Sequence, residues 1–307
     1  MNKVLDKLPY EIEKPLIGGR FSDVYLARDA GMRVVVKVAR DQPKEAAGAT
    51  NGVFFAQGQW MVTGGNVDWV PEANEILFQE AEALARVKHP AMVKLLNKGQ
   101  VDGRAYLVLE YIEGQTWRAA LSQNQVELHH YLKLARTLAK VNRELGYHGD
   151  IKPDNLILQP SGETRIIDPS SFMTKLGANG LPEQILTSEA YNPLLKDSDV
   201  PAMGLILMEL LCGRPLFLEA REAKQTRETG PILRDTLKTA KIIGQHDRYA
   251  RLLSMPLPRE IKATIPTILQ TIALKCIGLE WSNESFELST PYTDVAAVAA
   301  AIEKFLS

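Results

Sequence analysis

The spacing of apolar residues changes period along this chain, and the change near residue 111 constrains the fold more than any other feature. Between residues 10 and 39 the chain is β-branched and alternating, interrupted at Ile17-Gly18-Gly19-Arg20 and at Asp29-Ala30-Gly31, which predicts three antiparallel strands. Residues 74–88 take helical spacing, with Ile76, Leu77, Ala83, Leu84 and Val87 on one stripe, and His89-Pro90 ends the helix. Two further strands are expected at 93–96 and 106–111, joined by a turn at Asp102-Gly103. Beyond Gly114 the pattern is mostly helical, at 116–122, 128–145, 198–211 and in several helices between 233 and 306. The expected class is α+β and bilobal: a small β-rich lobe with one main helix over 1–110, a hinge at 111–114, and a larger, mostly helical lobe over 115–307. A cleft at such a join is a common ligand site.

A chain of 307 residues with 45% hydrophobic content is long enough to bury one large or two modest cores. Its net charge of -1 offers no basic field for nucleic acid and no polybasic anchor for a membrane. The longest apolar runs, 201–212 with Glu209 inside it and 295–302, are too short to cross a bilayer. The first residues lack the apolar core of a signal peptide. Cys212 and Cys276 lie in apolar helical patterns and read as buried, reduced thiols. These features point to a soluble, cytoplasmic protein whose partners are small molecules and proteins.

The chemistry concentrates in Tyr147-His148-Gly149-Asp150-Ile151-Lys152-Pro153-Asp154-Asn155, followed beyond a turn at 160–162 by Arg165-Ile166-Ile167-Asp168. Two short apolar strands flank that turn and set Asn155 and Asp168 near opposite ends of a hairpin. A carboxylate and an amide oxygen are hard ligands suited to magnesium. Asp150, just upstream, can then face an attacking oxygen. In the first lobe Lys37 shares an apolar row with Val35 and Ala39, where an ammonium needs a partner. Glu80, four residues from both Ile76 and Leu84, lies on the apolar stripe of its helix, whereas Glu82 points off it. Gly18 and Gly19 let backbone amides approach a phosphate.

These segments resemble the eukaryotic-type (Hanks-type) serine/threonine protein kinases over nearly the whole chain, in a divergent form. The resemblance implies the protein-kinase-like bilobal fold, ATP as phosphoryl donor with Mg2+, and a serine or threonine of another protein as acceptor. Asp150 would orient the acceptor hydroxyl and take its proton, and Lys152 would contact the transferring phosphate. Lys37 would hold the α- and β-phosphates with Glu80 as its partner, and Asn155 and Asp168 would hold the metal. Ile17, Gly18 and Gly19 would cover the nucleotide; Val24 and Val35 would lie above the adenine and Ile157 below it. Glu110 and Ile112 would offer backbone hydrogen bonds, with Leu109 as gatekeeper. Residues 199–217 match the family's buried central helix, with Asp199 expected to accept hydrogen bonds from the catalytic-loop backbone and His148 to be a packed structural residue.

The pattern departs from the family at several places. Gly149 replaces the arginine that grips an activation-loop phosphate, so activity is expected without such a phosphate. Asp168-Pro169-Ser170 stands for Asp-Phe-Gly, and the fixed φ of Pro169 predicts a loop start that flips less readily. Tyr191-Asn192-Pro193-Leu194 and Thr290-Pro291 replace both members of a buried ion pair. Thr187 and Ser188 both remain candidates for the residue linking base and substrate loop. Residues 41–71, with Phe54, Phe55, Trp60 and Trp69, form either a small hairpin or a regulatory flap. Gly149 and Pro169 also suit a small-molecule kinase of the aminoglycoside or fructosamine phosphotransferase type. The spacing from Lys152 to Asn155 and residues 199–217 oppose that alternative. A partner-binding pseudokinase is opposed by the presence of Lys37, Glu80, Asp150, Asn155 and Asp168.

Overall fold

The structure is a computed structural model, and it describes residues 4–16, 18–19, 21–42, 53–56, 59–62, 70–169, 175–176, 182–184, 198–212, 266–282 and 285–307. The chain divides into two compact units, one made of Met1–Glu113 with Ile167–Ile185, the other of Gly114–Ile166 with Leu186–Ser307.

In the first unit β1 (Glu11–Pro15), β2 (Ser22–Asp29), β3 (Met32–Ala39), β4 (Val53–Ala56), β5 (Gln59–Val62), α1 (Val70–Arg86), β6 (Leu95–Val101) and β7 (Arg104–Glu110) follow in order. Five strands form one antiparallel sheet in the order β1-β2-β3-β7-β6. The turns that close β2–β3 and β6–β7 have positive φ at both central residues, Ala30 and Gly31 at 47° and 87°, Asp102 and Gly103 at 48° and 76°. That geometry matches the twist of paired strands and selects glycine, alanine's presence at position 30 being the less usual choice. The register then fixes two faces. Val34, Val36 and Val38 of β3 join Ala27 and Val108 under Val4, Leu8 and Tyr10 in one core. The opposite face of β3 carries Val35, Lys37 and Ala39.

The helix is Val70–Arg86 rather than 74–88, and the strand expected at 93–96 is Leu95–Val101, because Val93 is drawn into the core before the ladder begins. β4 and β5 pair as a short hairpin within 41–71; Trp69 lies outside the described residues.

The second unit holds β8 (Gln115–Thr116), α2 (Trp117–Ser122), α3 (Leu128–Leu145), β9 (Leu156–Leu158) and β10 (Thr164–Ile166). After β11 (Lys175–Leu176) and β12 (Pro182–Gln184), which belong to the first unit, it continues with α4 (Val200–Cys212), α5 (Thr267–Cys276), β13 (Leu279–Ser282), β14 (Ser285–Leu288) and α6 (Val295–Leu306). The β13–β14 hairpin lies between two of the helices expected over 233–306 and was not itself expected. Gly278, at φ 75°, stops α5, and Leu279, Trp281, Phe286 and Leu288 alternate with polar residues in strand fashion. Capping is local: the Thr116 side chain accepts from Ala119 N, and the Asp294 side chain from Ala297 N.

α4 is buried along residues 200–209, with Tyr131 of α3 donating its hydroxyl to the Met203 carbonyl at 2.9 Å. It runs so close to α5 that a Cβ on Gly204 would stand 2.7 Å from the Ala273 carbonyl oxygen and overlap the Cys276 Cβ. Cys276 is a buried free thiol, as expected, and burial pushes its pKa up. The Cys212 side chain lies outside the described residues. Gly204→Val should therefore force the two helices apart and lower stability by about 1–3 kcal/mol; a urea denaturation midpoint equal to that of the wild type would contradict this packing.

Candidate active site

In the first unit the residues expected at the site lie on β3 and α1. Opposed residues share a face of an antiparallel sheet, so the pairs Val24↔Lys37, Leu26↔Val35, Val35↔Leu109 and Lys37↔Leu107 put Val24, Val35, Lys37 and Leu109 on one face. Leu109 is buried, and Val24 and Val35 are half-buried. α1 brings Glu80 over that face. The Lys37 Nζ donates to Glu80 Oε1 and Oε2 at 2.8 and 2.7 Å and to Asp168 Oδ1 at 2.9 Å. An ammonium has three donors, and these contacts supply three acceptor oxygens. Glu82 is exposed.

Lys37 and Glu80 are 6% and 5% exposed, so the charges are held away from water. Burial alone would push the Lys37 pKa down, but the Asp168 and Glu80 carboxylates outweigh it and push it above the ordinary lysine value. Burial and the nearby Asp168 charge push the Glu80 pKa up, against the pull of Lys37. Asp168 itself stands at φ 57°, and Pro169 after it is buried.

At the glycine turn, a Cβ on Gly18 would meet the Ser22 carbonyl oxygen at 2.7 Å, whereas Gly19 faces open space. Ile17 lies outside the described residues. At the end of β7, the Glu110 backbone N–H donates to the Lys94 carbonyl at 3.0 Å, and its Oε1 accepts from Lys94 N at 2.8 Å. Ile112 is half-buried.

The second unit carries the loop between α3 and β9. Asp199, 2% exposed, accepts from the backbone N–H of His148 at 2.7 Å and of Gly149 at 2.9 Å, and from Asn142 Nδ2 at 2.9 Å. The expectation that Asp199 binds the loop backbone is met. His148 is fully buried and its Nδ1 accepts from Asp150 N at 3.3 Å. Asp150 Oδ2 accepts from Lys152 Nζ at 2.8 Å and from Asn155 Nδ2 at 2.9 Å; the same Nδ2 also donates to the Asp150 carbonyl at 2.8 Å. Pro153 starts a 3-10 turn, Pro153–Asn155, that delivers Asn155 to this position.

β9 and β10 pair with Leu156 opposite Ile166, so the chain enters and leaves the hairpin at one end, not at two. Asn155 precedes that end, and Asp168 follows two residues after it. Ile157 is half-buried between Leu156 and Leu158, which are both buried, and pairs with Thr116.

With Nδ2 of Asn155 committed to Asp150, its Oδ1 is the atom offered to a cation. An amide oxygen of this kind, like the carboxylate of Asp168 in the first unit, is a hard donor of the type Mg2+ takes. Among the described residues no cluster of three His, Cys, Asp or Glu could hold a metal. No helix among the described residues is long and apolar enough to cross a membrane.

One cluster was not read from the sequence. Arg118 of α2 pairs with Glu209, the buried acid inside apolar α4, and with Asp154 at 3.2 Å, next to the loop of Asp150. The signal was available, because a carboxylate within an apolar run requires a cationic partner. Thr187, Ser188, residues 191–194 and the tail 213–217 lie outside the described residues.

The chain belongs to the protein kinase domain family, whose family model matches residues 65–272. It is 28% identical to Aurora kinase B of Danio rerio over 284 residues, covering 84% of this chain and 78% of that protein. It is 26% identical to Aurora kinase A-A of Xenopus laevis, covering 68% of this chain and 48% of the relative. With the serine/threonine-protein kinase PrkC of Bacillus subtilis the identity is 25%, over 68% of this chain and 31% of the other. The fold matches that of the PknI kinase domain of M. tuberculosis with a TM-score of 0.51, at 16% identity, over 96% of this chain and 94% of that one.

The Lys37–Glu80 pair should behave as a unit. Lys37→Met or Glu80→Leu alone leaves a buried charge without its counterpart and should cost about 3–5 kcal/mol. The double variant should recover much of that loss, giving a coupling of at least about 1 kcal/mol in a double-mutant cycle. Additive losses would show that the pair is not coupled.

Proposed function

We propose that this protein kinase transfers the γ-phosphoryl group of ATP to serine or threonine hydroxyls of protein substrates. The observation that carries the reading is the Asp150 carboxylate, anchored at one oxygen by Lys152 and Asn155 on a loop whose backbone is bound by buried Asp199. An oriented carboxylate of this kind can accept a hydrogen bond from an acceptor hydroxyl and take its proton. Lys152, 2.8 Å from that carboxylate, puts a positive charge where the transferring phosphate would arrive and supports the serine/threonine assignment, as do the names of relatives such as PrkC.

Lys37, kept charged by Glu80 and Asp168, would hold the α- and β-phosphates. Asn155 and Asp168 would hold Mg2+, which when bound neutralises the phosphate oxygens. Val24 and Val35 would cover the adenine from one side and Ile157 from the other. Leu109 would bound the slot, and Glu110 and Ile112 would present backbone groups to the base. Ile17, Gly18 and Gly19 would form the lid; the collision that any Cβ at position 18 would suffer supports a backbone-only surface there. The lobes are assigned as 1–110 and 115–307 with a hinge at 111–114. ATP chemistry of this kind suits a cytoplasmic site of action, with neither nucleic acid nor membrane as partner.

The reading includes activity without a phosphate on the activation loop. Gly149, at φ 90°, holds a backbone conformation that favours glycine and has no side chain to grip such a phosphate. The test uses phosphatase-treated protein and labelled ATP with Mg2+, offered generic protein substrates beside aminoglycosides and sugar amines. Phosphoserine or phosphothreonine should form on protein, and Asp150→Asn should lower turnover by about 100-fold or more with little change in ATP affinity. Label on the small molecules alone, no transfer until the loop is phosphorylated, or wild-type turnover by Asp150→Asn would each overturn a named part of the proposal.

A further inference from the structure

Asp168 combines three features that the proposed chemistry does not by itself require. Its backbone has φ 57°, in the left-handed region that an L-residue other than Asn or Asp seldom occupies. Its carboxylate is bonded to a lysine whose other partner is a buried glutamate. The next residue is a proline that is buried, although Asp168 itself is partly exposed, with its side chain at 42%.

A proline restricts its predecessor, because its Cδ clashes with the preceding residue's N–H and Cβ in the right-handed helical region. Asp168 is therefore denied the conformation into which a loop residue most easily relaxes from the left-handed one. The extended region stays open to it and is the one a following proline favours, so the left-handed conformation must be held by the Lys37 bond and by the burial of the Pro169 ring. Moving to the extended region rotates the Cα–Cβ bond, takes the carboxylate off Lys37 and displaces the ring of Pro169 from its buried position. Proline also lacks an N–H, so its burial leaves no backbone donor to satisfy.

We propose that Pro169 is a positioning residue that locks the Asp168 carboxylate onto Lys37, so that the cation ligand is already in place before metal or nucleotide arrives. This rests on the reading of Asp168 as a metal ligand and adds to it how the ligand is held. Where a binding-competent conformation is only partly populated, apparent affinity falls by the populated fraction. In this chain the buried Pro169 ring and the bond to Lys37 together keep that fraction near one.

The test compares the wild type with Pro169→Ala, which removes the ring and returns the helical region to Asp168. In metal-free, nucleotide-free protein, NMR relaxation dispersion should find no microsecond-to-millisecond exchange at the Ile167 and Asp168 amides of the wild type and clear exchange in the variant. The affinity for Mn2+, measured by calorimetry with a non-hydrolysable ATP analogue present, should weaken about tenfold in the variant. The apparent KM for Mn2+ should rise to match, while kcat at saturating Mn2+ falls by less than about twofold. Exchange at Asp168 in the wild type overturns the lock, and this arm decides the matter even if the variant does not fold. A variant that lowers kcat and stability together with no new motion overturns it too, by showing a merely structural proline. New motion with unchanged Mn2+ affinity upholds the lock and overturns the assignment of Asp168 to the metal.

Discussion

The first unit is organised around an ammonium group that cannot stay buried alone. Lys37 sits on a strand whose neighbours are valines, and water-exposed solutions are closed to it at 6% exposure. The charge is tolerable only because α1 presents Glu80 over the same face and because Asp168 completes the third bond. Strand register, helix phase and the conformation of residue 168 must therefore agree. A one-residue slip of β3 would turn Lys37 into the core of Val34, Val36 and Val38.

Asp199 plays the corresponding part in the second unit. It lies at the start of α4, buried, and satisfies two loop N–H groups that have no ladder to join. With that backbone fixed, Asp150, Lys152 and Asn155 are left to bond to one another through a single carboxylate oxygen. The close approach of α4 to α5 at Gly204 and the Arg118–Glu209 pair hold the same helix from other sides. The placement of the Asp150 loop in this unit follows from how firmly one helix is seated.

Much of this was legible because burial constrains spacing. The phase of Glu80 and of Lys37 follows from apolar periodicity, and the structure pairs the two; the bond from Asp199 to the loop followed from family resemblance at 199–217. The hairpin of β13 and β14 was missed because four alternating residues on each side of a turn look, within a helical region, like a helical segment too short to judge. Arg118 was missed for a different reason. Glu209 in its apolar run signals that a cation is needed, but Arg118 lies 91 residues from it and 36 from Asp154, and periodicity does not say which cation answers. The left-handed backbone of Asp168 was also beyond reach, since the proline that follows it indicates only what is forbidden.

The central claim is that the charge held by Glu80 and Asp168 acts on the phosphates of ATP. Its most direct test is the single-turnover rate of Lys37→Met at saturating ATP and Mg2+, with folding verified by circular dichroism. Removal of a preorganised charge from the reacting group should slow transfer by about 100-fold or more. A folded variant that transfers phosphate at the wild-type rate would contradict the account.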